Sequence, residues 1–336
     1  MPRDDHEGMQ MQLPYSQRPE WQDVTPVPQD DGPEPLAVIS YPPGFVEVHD
    51  YFRAIQQRGE LTLRALWLTA DVIEQNSANY TAWYYRRRCL REVKADLYAE
   101  HRFTDKWARD CPKNYQVWYH RRWLIMEMAQ ELRSGGEADA EKEVTELAER
   151  ELEYHMDCMQ VNDDYKNYNG WSHRQFILQK FGLWSKELPF VEELLRDDIR
   201  NNSAWNHRHN IVRNECWPVT EAVRQREVDF ALNSIRKCAS NECSWNYLGA
   251  YLGEGEGKVP WTSVPALEAL CQEVLALAAG PEHFCRFAVE ALANIHEARV
   301  EVQDAIQKYE TLKAIDKIRV KYWDWRIALL LKKTGG

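Results

Sequence analysis

Pro112-Lys113-Asn114-Tyr115-Gln116 is the stretch of this sequence whose residue types could do chemistry. Asn is a good helix N-cap, because its side chain can satisfy the unpaired amides of a first turn. The positive end of a helix attracts phosphate, and a Lys directly before the cap adds a full charge to it. Tyr115 and Gln116 follow on the same exposed turn. The chemistry on offer is the holding of a phosphate-bearing ligand rather than a complete reaction. By residue type alone, a solvated surface lysine is the competing explanation of Lys113.

Other candidates carry less. Residues 249–258 are glycine-rich and end in Lys258, but Val259 follows where a phosphate-binding loop needs Ser or Thr, and the context is helical. They are expected to form a flexible turn. His207 and His209 are two apart and so do not share a helix face. His120 and His173 occupy the repeat position of His207, which points to structural hydrogen bonds rather than to metal ligation. No metal site is expected from this chain alone. The eight Cys include no C-x-x-C pair, so neither a zinc framework nor disulfides are expected. No Ser/His/Asp set or carboxylate pair stands out.

A net charge of −11 opposes non-specific nucleic-acid binding, which needs a basic face. No apolar run reaches the ~18 residues of a membrane span, and the chain opens on no signal-peptide pattern. A cytoplasmic location with reduced thiols is the expectation.

The elements that must position Lys113 are legible as a repeat. Trp83, Trp118, Trp171, Trp205, Trp245 and Trp323 each stand four residues after Asn79, Asn114, Asn167, Asn201, Asn241 and, in the last copy, Arg319. Three residues after the Trp come Arg86, Arg121, Arg174, Arg208, Leu248 and Arg326; seven after it come Leu90, Ile125, Leu178, Val212, Leu252 and Leu330. These offsets lie on one helix face. Asn therefore starts a helix, Trp locks it into the core, and the Arg on the same buried stripe needs an acidic partner from a neighbouring helix.

The Trp spacings are 35, 53, 34, 40 and 78. The 53 places an exposed loop over residues 130–141, tipped by Ser134, Gly135 and Gly136. The 78 hides a degenerate copy, with Phe284, Phe287 and Ala291 in the Trp, Arg and aliphatic slots. Preceding helices fit over residues 61–74, 96–110, 140–159, 188–200, 221–239 and 265–278. The expected fold is all-α: a right-handed α-α superhelix, a solenoid of about seven helical hairpins over residues 45–336. Residues 1–44 hold most of the prolines and show no helical period. They are expected to be a disordered, flexible tail.

The repeats at residues 79–87, 112–122 and 167–175 resemble those of protein prenyltransferase alpha subunits, and the Lys-Asn-Tyr-Gln copy points to the branch shared by farnesyltransferase and type I geranylgeranyltransferase. The resemblance covers about residues 45–332. It implies an obligate heterodimer in which a barrel-shaped beta subunit carries zinc and most of the isoprenoid pocket, with magnesium also used. It implies transfer of a prenyl group from prenyl diphosphate to a Cys in the C-terminal C-a-a-X motif of substrates such as Ras-like GTPases. By the same resemblance, Lys113 contacts the diphosphate and Tyr168 lies near the leaving group. Tyr115 lines the active site, Gln116 binds the peptide's terminal carboxylate, and Tyr80 stands at the cavity edge. Asn169 takes a position where many relatives carry His; it can donate a hydrogen bond but cannot be cationic. Two alternatives share the repeat: the alpha subunit of a Rab geranylgeranyltransferase, against which the Lys-Asn-Tyr-Gln stretch argues, and a non-catalytic helical scaffold.

Overall fold

The structure, a computed structural model, describes residues 13–334. Among them the chain is all-α. Helix α1 (Pro43–Arg58) is followed by α2 (Leu63–Gln75), α3 (Tyr80–Glu92), α4 (Leu97–Asp110), α5 (Tyr115–Ser134), α6 (Ala140–Val161) and α7 (Tyr168–Phe181). Then come α8 (Glu187–Asp197), α9 (Asn202–Glu215), α10 (Glu221–Lys237), α11 (Glu242–Gly249), α12 (Pro265–Ala276), α13 (Arg286–Ala298), α14 (Val302–Ile315) and α15 (Val320–Thr334). From α2 onward the helices pack in consecutive pairs, giving the seven expected hairpins. The chain divides into two compact units, Met1–Leu183 and Trp184–Gly336.

The repeated Asn and Trp share one device. Asn79, Asn114, Asn167, Asn201 and Asn241 each cap a second helix, their side-chain oxygens accepting first-turn amides. In the first unit the Trp83 indole donates to the Ser77 carbonyl at 2.8 Å, and Asn114 Nδ2 of the next hairpin donates to that same oxygen at 2.6 Å. Pro112 O accepts likewise from Trp118 (2.8 Å) and Asn167 (2.9 Å). In the second unit Ile199 O accepts from Trp205 (2.8 Å) and Asn241 (2.7 Å). An ionised Asp cap could accept but not supply this second donation, at a carbonyl with two lone pairs to satisfy. That double duty accounts for Asn at positions 114, 167 and 241.

The sixth copy sits in a different register from the expected one. Phe284 precedes the helix, Cys285 is the N-cap, and fully buried Val289 fills the Trp slot. Cys285 Sγ donates to Ala239 O at 3.1 Å, the carbonyl that already accepts Trp245, so a thiol replaces the Asn amide. The expected loop over residues 130–141 is also corrected. Most of the insertion lengthens α5 and α6, leaving only residues 135–139 between them. Residues 249–258 turn back on themselves instead of hanging free: Gly253 N donates to Val259 O at 2.8 Å and Lys258 Nζ to Gly249 O at 2.7 Å. Gly253, Gly255 and Gly257 all have positive φ, which side chains rarely adopt.

The flexible tail expected over residues 1–44 is corrected in part. Residues 1–12 lie outside the described residues. Short 3-10 turns at Tyr15–Gln17 and Pro19–Trp21 seat Tyr15, Trp21 and Val24 in the core of the first unit beside Tyr51 and Phe52. Tyr15 also hydrogen-bonds Asp71, and Asp23 is bridged to Arg64 at 2.6 Å and to Arg58 at 3.2 Å. Beyond Val27, whose amide donates to Asp50 O, residues 28–42 are irregular and mostly exposed up to the start of α1. Three buried apolar side chains at non-periodic spacing were enough to dock a proline-rich segment. Trp21→Ala is expected to destabilise the first unit by about 3 kcal/mol, the usual cost of emptying a buried Trp site. Urea denaturation of the full chain measures it; a change below about 1 kcal/mol would mean that the segment adds nothing to the core.

Buried charges knit neighbouring hairpins together. Arg86 forms a two-point pair with Glu100 of the next hairpin (2.7 and 2.6 Å), and Arg121 with Glu151 (2.8 and 2.6 Å). In the second unit Arg208 pairs with Glu227. The histidines complete the set: His120 Nε2 lies 2.8 Å from Glu100, His173 Nε2 2.7 Å from Glu151, and His207 Nε2 2.7 Å from Glu187. Burial depresses the pKa of His120 and His173, so each serves as a neutral N–H donor to an ionised carboxylate.

Candidate functional site

The three second helices α3, α5 and α7 pack side by side in the first unit. Each begins Asn-Tyr, so each presents a Tyr as the first residue after its cap. Tyr80, Tyr115 and Tyr168 are 70%, 58% and 81% exposed, a repeated outlay of aromatic surface that the core does not use. One turn further on, Tyr84 and Tyr119 are also exposed. Arg87 and Arg122 lie seven residues after Tyr80 and Tyr115, on the same face. Arg87 lies 5.2 Å over the Tyr119 ring. Arg122 donates to Ser172 Oγ at 2.9 Å and stacks on Phe176. Its buried Nε–H has no hydrogen-bond partner among the described residues. Burial lowers the pKa of both guanidiniums, which means that they are partly desolvated cations.

Lys113 stands on the turn between α4 and α5. That turn is held from α7 at two points: Asn167 Nδ2 donates to Pro112 O, and Asn169 Nδ2 to Lys113 O, both at 2.9 Å. The first turn of α7 can come close to α6 because residue 170 is Gly; a Cβ there would meet His155 Nε2 at 2.9 Å. The Lys113 side chain is 80% exposed, with its Nζ 3.7 Å from Asp164 Oδ2. Tyr115 and Gln116 follow in α5, Tyr115 exposed and Gln116 half-buried. Helix α5 therefore offers its first-turn N–H groups, an ammonium group, a phenol and an amide at one end.

The structure thus places all six sequence candidates, Lys113, Tyr115, Gln116, Tyr80, Tyr168 and Asn169, at the starts of three adjacent helices. It gives Asn169 a backbone-tethering bond that its spacing did not suggest. Tyr84, Tyr119, Arg87 and Arg122 were missed, although their i+4 and i+7 offsets from the first-turn tyrosines were available in the sequence. A basic residue before the cap is not unique to Lys113, since Lys166 precedes Asn167 and Arg200 precedes Asn201. At Lys113 the turn is tied to the next hairpin through Asn169, and the carboxylate of Asp164 lies beside the ammonium.

A zinc site does not fit these residues. Around Lys113 only one carboxylate, Asp164, approaches it. Among the described residues one trio could surround an ion, His296, Glu301 and Asp304 of the second unit, and there His296 Nδ1 already lies 2.6 Å from Glu301. No described helix is long and apolar enough to cross a membrane.

Residues 65–93, 97–128, 148–181 and 184–215, which cover the four hairpins from α2–α3 to α8–α9, each match the family model described as protein prenyltransferase alpha subunit repeat. The chain is 38% identical over 333 residues to protein farnesyltransferase/geranylgeranyltransferase type-1 subunit alpha of Pisum sativum, covering 94% of each sequence. It is 35% identical over 317 residues to the Dictyostelium discoideum protein of the same name, covering 94% of this chain and 93% of that one. A chain in the solved structure of Candida albicans protein geranylgeranyltransferase-I complexed with GGPP matches with a TM-score of 0.78 and 26% identity, over 92% of this chain and 98% of that chain. Four matching repeats, and 35–38% identity over 94% of the chain, establish that this chain belongs to the protein prenyltransferase alpha subunit family.

Proposed function

We propose that the chain is the alpha subunit of a heterodimeric C-a-a-X protein prenyltransferase of the farnesyl/geranylgeranyl type I kind, and that it holds the diphosphate end of the prenyl donor. The observation that carries the second part is the Lys113 turn: an exposed ammonium group at a helix start, tethered by Asn169 and flanked by the exposed tyrosines of three helices. In the reaction a thiolate sulfur bonds to C1 of the prenyl diphosphate while the C1–O bond breaks, and the electron pair leaves with the diphosphate. Charge grows on that oxygen, where the Lys113 ammonium and the α5 amides stabilise it. Tyr168 O–H donates to the same leaving group, Tyr115 and Tyr80 wall the cavity, and Gln116 receives the peptide's terminal carboxylate. Asn169 keeps the Lys113 turn in place. In this reading zinc ligands lie on the beta subunit, and the two metals would supply a lowered thiol pKa (zinc) and shared diphosphate charge (magnesium).

Coexpression with a farnesyl-type or a geranylgeranyl-type beta subunit tests the proposal. The purified pair is expected to transfer prenyl to a C-a-a-X peptide, with no transfer by the chain alone. Transfer confined to Rab presented by its escort protein, or no transfer with either beta subunit, would sink it.

A further inference from the structure

We propose that Asp164 is a positioning residue that holds the Lys113 ammonium between turnovers and gives it up to diphosphate, thereby weakening diphosphate binding. The inference rests on the reading that Lys113 faces the diphosphate. Asp164 is fixed in place: its N–H donates to Met159 O at 3.0 Å and its carbonyl accepts from Asn167 N–H at 3.1 Å. The preceding Asp163, in the left-handed region at φ 47°, turns the chain out of α6. The Asp164 side chain is only 24% exposed, whereas that of Lys113 is 80% exposed. The two members of the pair therefore differ in freedom. The carboxylate is anchored on a turn, and the ammonium is on a long flexible stem that can swing to another anion.

At 3.7 Å the contact is a loose ion pair rather than a tight hydrogen bond. Such an exposed pair is weak, so diphosphate can displace it. The same carboxylate competes for Lys113 when diphosphate has to leave. An anion parked beside a catalytic cation is costly for ground-state binding, and its benefit lies in product release.

The test uses the heterodimer and inorganic diphosphate as inhibitor. Asp164→Asn is expected to bind diphosphate about two- to five-fold more tightly and to lower KM for the prenyl donor to the same extent, at unchanged melting temperature. In a Lys113→Ala background Asp164→Asn is expected to change neither quantity. Unchanged or weaker inhibition in Asp164→Asn overturns the proposal, as does a drop in melting temperature with a raised KM, which would mark a structural role. An equal gain in the Lys113→Ala background overturns it too, because the carboxylate would then act on diphosphate directly. If Lys113→Ala alone leaves diphosphate inhibition at the wild-type value, the parent reading of Lys113 fails.

Discussion

Lys113→Ala in the reconstituted heterodimer is expected to lower the single-turnover rate about 10²-fold, with far less change in KM for the peptide. The expectation follows from where charge appears. The ammonium meets a bound diphosphate in the ground state, but the bridging oxygen gains its charge only as the C1–O bond breaks. Removing one preorganised donor at such a site costs about 2.7 kcal/mol, which is that hundred-fold. Folding is not at stake, because the side chain is 80% exposed and its one ion pair is loose. A melting temperature equal to the wild type's is therefore part of the prediction. Lys113→Arg should recover only part of the rate, since a planar fork on a longer stem presents its charge differently from a compact ammonium. A wild-type rate in Lys113→Ala would remove this residue from the chemistry and leave the α5 amides and the tyrosines to account for diphosphate binding.

The hairpins were legible because their signal is local. Asn, Trp four residues later and an aliphatic seven beyond that are positions of one helix, and caps, cores and helix starts followed within a few residues. The sixth copy failed where that signal thins out. Aromatic residues at 284 and 287 look more like a Trp slot than Val289 does, and nothing in a sequence marks Cys285 as a stand-in for an Asn amide. The docking of Tyr15 and Trp21 depends on Tyr51 and Phe52, tens of residues away, and no periodicity encodes it. The need for acidic partners at Arg86, Arg121 and Arg208 could be deduced from burial. Their identities could not, because Glu151 is thirty residues from Arg121 and many other glutamates compete. At the candidate site, the helix start and its Lys were visible in the sequence. The bond from Asn169 to the Lys113 carbonyl and the approach of Asp164 join residues more than fifty positions apart, so only the fold could bring them together.

Glu151→Gln is expected to be the most damaging conservative change in the first unit, costing about 3–5 kcal/mol of stability. The carboxylate is fully buried and fully used. Oε1 accepts from Arg121 Nε at 2.8 Å and His173 Nε2 at 2.7 Å; Oε2 accepts from Arg121 Nη2 at 2.6 Å and lies 2.9 Å from His101 Nε2. Three helices, α4, α5 and α7, are thus tied to α6 through one side chain. Glutamine has nearly the same volume, but its NH2 turns a donor toward groups that are themselves donors. Arg121 would then keep only the partly exposed Asp105 as an anionic partner.

The consequence has a pH signature. Burial alone would raise the Glu151 pKa, but Arg121 and the histidine bonds outweigh it and hold the group well below the carboxylate range. Glu100, under the same opposing influences from Arg86 and His120, is held at about 2. A carboxylate depressed in the folded state contributes stability that is present above its unfolded pKa, 4.5, and lost as pH falls toward the folded value. His120 and His173, depressed by burial from 6.5, act in the same direction, because the unfolded chain takes up their protons first. Wild-type stability should therefore decline as pH drops below about 6.5, and more steeply below about 4.5. Glu151→Gln should start lower at pH 7 and lose less between pH 5 and pH 3. Urea denaturation across that range decides the matter: parallel wild-type and variant curves would show that the buried carboxylate is not the group that carries the acid sensitivity. Since Asn114, Asn167 and Asn169 are seated by α5 and α7, a loss here should also loosen the Lys113 turn and lower transfer activity without any change to a residue that touches substrate.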